Sequence, residues 1–148
     1  MAQAERDPLI GARFALDVDG LGVAWFSQAS GFNNAHEVVD HKAVDSTGRE
    51  VIQKIPGGLT WDDITLSRGI SDSMDLWEWR QKVIDGKVTE ARANGSVIMY
   101  NQAMEEVVRF NFVNGWPSSW KGPDVSAEDN AVAVEEITIA HEGLVRKK

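Results

Sequence analysis

Apolar and polar residues alternate along most of this chain, which is the period expected of β-strands that bury one face. Near the start, Asp19-Gly20 lies between two alternating runs. Asp-Gly is a strong hairpin signal because both central residues of the tight turn need positive φ. The predicted strands carry apolar residues at Phe14, Leu16 and Val18 before the turn and at Leu21, Val23 and Trp25 after it.

The same alternation predicts four later strands. They occupy residues 61–70, 97–100, 108–112 and the stretch that begins near Ala131. In the first of these, Ile64 and Leu66 face inward and Arg68-Gly69 ends the strand. The second and third strands should pair as a hairpin, so the chain is predicted to be mainly β.

Two proline-containing segments predict ends of sheet pairing. Pro56-Gly57-Gly58 closes one apolar run. The segment 116–123 contains Pro117 and Pro123 and should block further pairing, because proline has no backbone N–H to donate.

One segment has helical rather than strand spacing. Ser71, Asp72 and Ser73 offer N-cap oxygens, and Gly86 supplies a C-terminal stop. Trp79 lies at the flank of the predicted apolar face. That face consists of Leu76, Trp77, Arg80, Val83 and Ile84.

The last strand changes phase. Val132 and Val134 are apolar at even positions, whereas Ile137 and Ile139 are apolar at odd positions. This change in alternation at Glu135-Glu136 predicts a β-bulge that bends the strand toward another packed face. A solvent-exposed irregularity explains the same spacing, and periodicity leaves both explanations open.

Residues 32–58 are polar and have too little apolar content to form a core of their own. We predict an extended loop or hairpin around residues 38–55 that packs on something else. At 148 residues, the chain is long enough for one core, so a single domain spanning residues 1–148 is predicted.

Composition narrows the function classes. The chain has no cysteine, which excludes thiol catalysis, zinc–thiolate sites and iron–sulfur clusters. Residues 1–8 lack the apolar core of a secretory signal, and no stretch approaches the length of a membrane span. We expect a protein made in the cytoplasm that leaves the cell only by lysis or a dedicated machine.

The formal net charge of −8 argues against a general nucleic-acid binder, which needs a basic surface, and against anionic membranes. Ordinary solubility explains such a charge. The alternative is a surface that repels acidic material.

No catalytic motif is present in the sequence. His36 and His41 are spaced at i and i+5, so in a strand they point to opposite faces, unlike the i, i+4 histidines of zinc-protease helices. Side chains of adjacent acidic residues point to opposite faces of a strand, so their carboxylates do not converge on one site. They are predicted to lie in solvent at the edges of the sheet. These pairs are Asp62-Asp63, Glu105-Glu106, Glu128-Asp129 and Glu135-Glu136. We therefore predict no enzyme activity, metal or cofactor.

Six tryptophans are more than a core of this size requires. Trp61 and Trp77 are predicted to be core residues. The other four, Trp25, Trp79, Trp116 and Trp120, are predicted to be partly exposed on the monomer. Clustered exposed aromatic side chains mark protein interfaces more often than ligand sites, which favours self-association.

The order and spacing of ten short motifs resemble one family. The motifs are 7–8, 26–32, 54–57, 64–70, 76–80, 110–112, 114–117, 122–123, 134–136 and 141–144, and together with the Phe14 strand they are distributed over nearly the whole chain. The chain resembles the tail tube proteins of contractile-tailed phages and the inner tube proteins of related contractile injection systems. It departs from many relatives by carrying Gln28 in place of Glu, and residues 41–48 in place of an Arg-Glu-Gly-Gly type of turn. The second departure is closer to the injection-system tubes.

The resemblance implies an antiparallel β-sandwich or barrel-like protomer with one flanking α-helix. It implies homo-hexameric rings that stack into a hollow tube inside a contractile sheath, with baseplate and spike proteins as further partners. One sheet of each subunit would line the lumen, which could hold a cargo but, given the net acidity, would not bind DNA specifically. The expected inter-subunit contacts are Val44, Asp45, Ser46, Thr47, Gly48, Arg49, Trp116 and Trp120.

Two other function classes fit the residues. A small β-sandwich binding module would be a monomer with a saturable ligand. A hydrolase using acidic pairs would lose activity when Asp62 or Glu135 is substituted. Assembly into rings or tubes discriminates the structural role from both. Periodicity does not name the strand face that lines a lumen.

Overall fold

The computed structural model describes residues 13–124 and 133–148. The described residues form ten strands and two helices: β1 Arg13–Val18, β2 Gly22–Phe26, β3 Gln28–Ser30, β4 Asn34–Val44, β5 Glu50–Trp61, β6 Ile64–Gly69, α1 Asp75–Ile84, α2 Val88–Ala91, β7 Ala93–Tyr100, β8 Glu106–Lys121, β9 Val134–Ala140 and β10 Gly143–Arg146. They fall into two compact units. One unit is residues 33–62, and the main unit holds the described residues on either side of it. That residues 1–148 form one domain stays a prediction.

The main unit is an antiparallel sheet in the order β2-β1-β7-β8-β9-β6-β3, with β10 paired to β8. The two ends of this order, β2 and β3, are consecutive in the chain and are separated by Ser27 alone. The sheet therefore returns to its own beginning, as in a barrel. The predicted mainly β, antiparallel fold is confirmed.

The first hairpin has a different register from the predicted one. Its loop contains three residues, 19–21, because Val18 pairs with Gly22 rather than with Leu21. A one-residue change of register turns every side chain of the return strand to the opposite face. Ala24 and Phe26 are consequently buried, whereas Val23 and Trp25 are exposed.

The predicted end of pairing at Trp116–Pro123 is wrong. Strand β8 continues to Lys121 but changes partner: up to Gly115 it pairs with β7, and from Trp116 it pairs with β9. The missing N–H of Pro117 is tolerated because the register shifts between Pro117 and Ser119. One long strand thus belongs to both halves of the sheet.

The helix is confirmed, but its buried face differs. Leu76 and Trp79 are buried, whereas Trp77 is 40% exposed and Ile84 is exposed. Trp79 faces inward because α2, which was not predicted, offers the carbonyl of Ala91 as acceptor for the indole N–H at 2.7 Å. Nor does a side chain of residues 71–73 cap the helix, since the N-cap residue is Met74.

The predicted bulge at Glu135-Glu136 is also wrong. Strand β9 pairs with β6 in an unbroken register from Val134 to Ile139. Glu135 lies on the same buried face as Ile137 and Ile139, so the odd positions keep one phase throughout. The apparent slip arose because a buried acid occupies a core position. Ala131 and Val132, on which the prediction also relied, lie outside the described residues.

The second unit is one long hairpin of β4 and β5, paired from Asn34 with Trp61 to Val44 with Glu50. The predicted stop at Pro56-Gly57-Gly58 is wrong, because β5 runs through it. Two residues of β5, Gly57 and Gly58, lie opposite Glu37 alone, which makes a bulge. A Cβ on Gly57 would come within 3.0 Å of the Glu37 carbonyl oxygen, so glycine suits the position.

Substitution of Gly31 should destabilise the protein more than substitution of a glycine that has a positive φ but open space around the position of a Cβ. It has φ +94°, and an added Cβ would lie 1.9 Å from the carbonyl oxygen of Asp63. We expect Gly31→Ala to lower the free energy of unfolding by at least about 3 kcal/mol, because strain in φ and a backbone clash combine. Urea unfolding of the purified variant measures the loss.

Gly22→Ala is the matched control. Gly22 has φ +93° but open space where the Cβ would stand, so it should lose only about 1 kcal/mol. Equal losses in the two variants would contradict the predicted clash at Gly31.

Candidate functional site

A buried charged cluster joins several elements of the main unit. The Arg68 Nε lies 2.5 Å from Glu135 Oε1 on β9, and its Nη2 lies 2.6 Å from Asp75 Oδ1 at the start of α1. The indole N–H of Trp120 on β8 donates to Glu135 Oε2 at 3.2 Å. The guanidinium also stands 5.4 Å from the ring centre of Phe26. Every charge in this cluster therefore has a partner of opposite charge.

The cluster favours the ionised form of Asp75. Burial acts to raise the pKa of Asp75, but the hydrogen bonds from Arg68 and from the Leu76 N–H outweigh it and hold that pKa below its usual value. A lowered pKa stabilises the fold above the ordinary Asp pKa of about 3.9 and loses that contribution as the pH falls through the folded-state value. Burial also acts to lower the pKa of Arg68, but its two carboxylate partners raise it overall.

Glu135 is therefore not the solvated acid predicted from its sequence. Its side chain is 4% exposed and both of its oxygens accept hydrogen bonds, from Arg68 and Trp120. A buried carboxylate whose two oxygens are both bonded in this way is a fixed part of the structure. The physical role of the cluster is to fasten β6, β8 and β9 to α1.

The structure assigns different surroundings to the two tryptophans expected at subunit contacts. Trp120 is half-buried, and its ring meets that of Trp77 edge to face at 4.8 Å. Trp116 is half-buried opposite Ala140 at the point where β8 changes partner. The prediction of Trp77 as core and Trp79 as partly exposed is wrong, because Trp79 is 3% exposed.

The other expected contacts, Val44–Arg49, form the tip of the hairpin in the second unit. One carboxylate oxygen of Asp45 accepts hydrogen bonds from the Thr47 hydroxyl, the Thr47 N–H and the Arg49 N–H, at 2.6, 2.9 and 2.9 Å. The Thr47 hydroxyl and then the Arg49 amide hold the pKa of Asp45 below its usual value. The exposed tip is thus shaped by its own hydrogen bonds.

The two faces of this hairpin differ in charge. One face carries two cross-strand ion pairs, Lys54 with Asp40 at 2.7 Å and Lys42 with Glu50 at 3.8 Å. The opposite face, here named the apolar ribbon, has no charged residue between the tip and the bulge. It consists of Val39, His41 and Ala43 on β4 and Val51, Gln53 and Ile55 on β5.

Sequence reasoning missed the apolar ribbon, although a signal was present. The charged residues Asp40, Lys42, Glu50 and Lys54 all occupy even positions. In paired strands they therefore share one face, and the odd positions form an uncharged one. Val39 and Ile55 on this ribbon are 44% and 40% exposed, and the charged face also exposes aliphatic side chains at Val38 and Ile52. What distinguishes the ribbon is therefore its lack of charge.

The described residues do not bring together a set of metal-binding side chains. Within residues 13–124 and 133–148, histidines and acids form no group of three that could hold a metal ion. His36 and His41 are both exposed on β4. None of the described helices is long and apolar enough to span a membrane.

These features define a class: a mainly β protein whose charges build the fold and whose exposed apolar surfaces suit association with other chains. Comparison with protein families specifies it further. The family profile described as T4-like virus tail tube protein gp19 matches residues 11–145. The chain belongs to this family, and its role is that of a structural tube protein. Comparison with curated protein sequences gives no match.

Solved structures with the same fold come from contractile injection systems. A chain in the cryo-EM structure of the PVC sheath–tube complex, an extracellular contractile injection system in its extended state, is 22% identical. It matches with a TM-score of 0.74 over 99% of this chain and 97% of that one. A chain in the cryo-EM structure of the anti-feeding prophage cap is 25% identical, with a TM-score of 0.72 over 95% and 91% of the two chains.

Hcp1 from Flavobacterium johnsoniae shares the fold at 15% identity, with a TM-score of 0.54 over 90% of this chain and 94% of that one. The fold is therefore retained where little sequence identity remains.

Removing the charge of Glu135 should destabilise the protein strongly. We expect Glu135→Gln to lower the free energy of unfolding by about 3 kcal/mol, because it removes the buried one of the two counter-charges of Arg68 and leaves only the partly exposed Asp75. Glu136→Gln removes the same charge one residue away, on the opposite strand face, and should change stability by less than about 0.5 kcal/mol. Denaturant unfolding of both variants at pH 7 gives the comparison, and equal effects would contradict the assigned role of Glu135.

Proposed function

We propose that this protein is the inner-tube subunit of a contractile injection system or phage tail. Six copies form a ring, and rings stack into a hollow tube enclosed by a contractile sheath and completed by baseplate and spike proteins. The protein is made and assembled in the cytoplasm, as part of a phage tail or of a phage tail-like particle that can be released from the cell. Contraction of the sheath drives the tube through a target envelope, so the protein does mechanical work and catalyses no reaction.

The observation that carries this proposal is the apolar ribbon. A two-stranded hairpin is marginally stable alone in water and needs a further hydrophobic surface to pack against. The ribbon presents Val39 paired with Ile55, and Ala43 paired with Val51, without a charge between them. A second copy of the chain is the natural partner, because every member of a homo-oligomer presents the same ribbon and the same receiving surface.

The family and the related structures support the same assembly. The matching family is that of a phage tail tube protein, and the matching solved structures come from a sheath–tube complex and from a cap that terminates a tube. The charged face of the hairpin would remain toward water while the apolar ribbon is covered.

Placing a charge on the apolar ribbon should prevent assembly. We expect Ile55→Lys to give a folded protein that forms no tubes, because association would bury an unpaired ammonium group. The matched control is Ile52→Lys, on the same strand but on the charged face opposite Lys42, which should still form tubes. Circular dichroism checks the fold, and size-exclusion chromatography with negative-stain electron microscopy checks the assembly. Tubes formed by Ile55→Lys would argue against the ribbon as a contact.

The hairpin tip is proposed to join successive rings. Replacing Asp45–Arg49 with Asn-Gly, a two-residue hairpin turn, should keep β4 paired with β5 because Val44 still faces Glu50. We expect this variant to form single rings that do not stack. Long tubes from the variant, seen by negative-stain microscopy, would remove the tip from the stacking contact, whereas loss of the rings themselves would assign it to the ring interface.

A further inference from the structure

A histidine lies in the middle of the apolar ribbon. His41 on β4 pairs with Gln53 on β5, and its imidazole is exposed in the single subunit. An apolar pair lies two residues away in each direction: Val39 with Ile55, and Ala43 with Val51. Histidine is the side chain whose charge changes nearest to neutral pH, since its ordinary pKa is about 6.5. A group that can gain a charge thus lies at the centre of an otherwise uncharged surface.

The charges behind His41, on the opposite face of the hairpin, are paired with one another. Lys54 lies 2.7 Å from Asp40, and Lys42 lies 3.8 Å from Glu50. Each pair joins one positive and one negative side chain, so these four charges sum to zero. They neither attract nor repel a proton at His41 strongly.

The charges on the ribbon's own side lie beyond its two ends. They are Glu37 at the bulge, and Asp45 and Arg49 at the tip. Glu37 and Asp45 are each four residues from His41, and four residues of a strand span roughly 13 Å, more than the Debye length of about 8 Å at physiological salt. Among the described residues of the hairpin, the ribbon therefore offers no near counter-charge to a protonated His41.

Covering the ribbon makes the charge of this side chain important. In the free subunit the imidazole is exposed, so water solvates both of its protonation states. When another surface covers the ribbon, the charged form loses hydration that an uncharged ribbon does not replace, and the neutral form is favoured. A proton on His41 and association of the ribbon therefore compete.

We propose that His41 is a pH switch for assembly. The tube forms when His41 is neutral and dissociates in mild acid, where its imidazole takes up a proton. The switch rests on the proposed function, because it requires the ribbon to be covered in the tube. It deepens that function by making assembly depend on the pH of the surroundings.

The overall charge of the protein acts in the opposite direction. Acid reduces the size of the formal net charge of −8, which weakens the repulsion between copies and should favour association. Loss of tubes in mild acid therefore requires a specific group that opposes this general trend.

The critical concentration for assembly measures the switch. It is determined one pH unit above and one pH unit below the ordinary histidine pKa of about 6.5, where carboxylates of ordinary pKa remain ionised. Full-length protein is incubated at a series of concentrations, tubes are pelleted, and the protein left in the supernatant is quantified. Negative-stain microscopy identifies the pelleted tubes, and circular dichroism at both pH values checks the fold.

We expect the critical concentration of the unchanged protein to be roughly tenfold higher at the lower pH, because about nine in ten exposed imidazoles are then charged. His41→Gln, which carries no charge at either pH, should have the same critical concentration at both. The matched control is His36→Gln, which removes the other histidine of β4 from an even position, like those of Asp40 and Lys42. This control should keep the tenfold rise.

An equal critical concentration of the unchanged protein at both pH values would overturn the switch. So would a tenfold rise that persists in His41→Gln, or one that disappears in His36→Gln. His41→Leu provides a second neutral side chain: if both neutral variants fold but form no tubes at the higher pH, the shape of the imidazole rather than its charge controls the contact, and the inference is wrong. If the unchanged protein forms no tubes at either pH, the proposed function itself fails.

Discussion

Arg68 bonds at the same time to Glu135 on β9 and to Asp75 at the start of α1. The Glu135 side chain is almost closed to water, at 4% exposure, so the guanidinium of Arg68 compensates the cost of burying that carboxylate. Trp120 adds β8 to the same cluster through its hydrogen bond to Glu135. The position of the helix, the pairing of β6 with β9 and the course of β8 after Gly115 thus depend on one set of contacts. These contacts fix the shape of the subunit, and a tube that transmits force needs subunits of fixed shape.

Continuity of strands is the second source of rigidity. Strand β8 pairs with β7 in its first part and with β9 in its second, and β2 continues almost directly into β3 across Ser27. The two halves of the sheet are therefore joined by covalent backbone at both places, not by side-chain packing alone. A load on one half is carried to the other through the chain itself. The register shift after Pro117 allows β8 to continue from its pairing with β7 into its pairing with β9.

The two faces of the hairpin differ in charge. One face carries the two cross-strand ion pairs, and the other, the apolar ribbon, carries no charge between the tip and the bulge. Both faces expose aliphatic side chains, among them Val38 and Ile52 on the charged face and Val39 and Ile55 on the ribbon. Water does not stabilise such side chains, so their exposure in one subunit favours association with another surface.

The sequence by itself determined the kind of structure: alternation located the inward residues Ile64 and Leu66, helical spacing located α1, and motif order indicated the tube family. Only the tertiary structure decided registers and partners. The Asp19-Gly20 signal was correct as a turn, but a third loop residue reversed the faces of β2, and no local pattern distinguishes the two lengths. A bulge was predicted at Glu135 because an acidic residue was not expected on the buried face. Its partner, Arg68, is distant in the chain, so no local pattern indicates that the charge is compensated. Periodicity reports which residues prefer water, whereas burial of a charge or passage of a strand through proline depends on groups that only folding brings together.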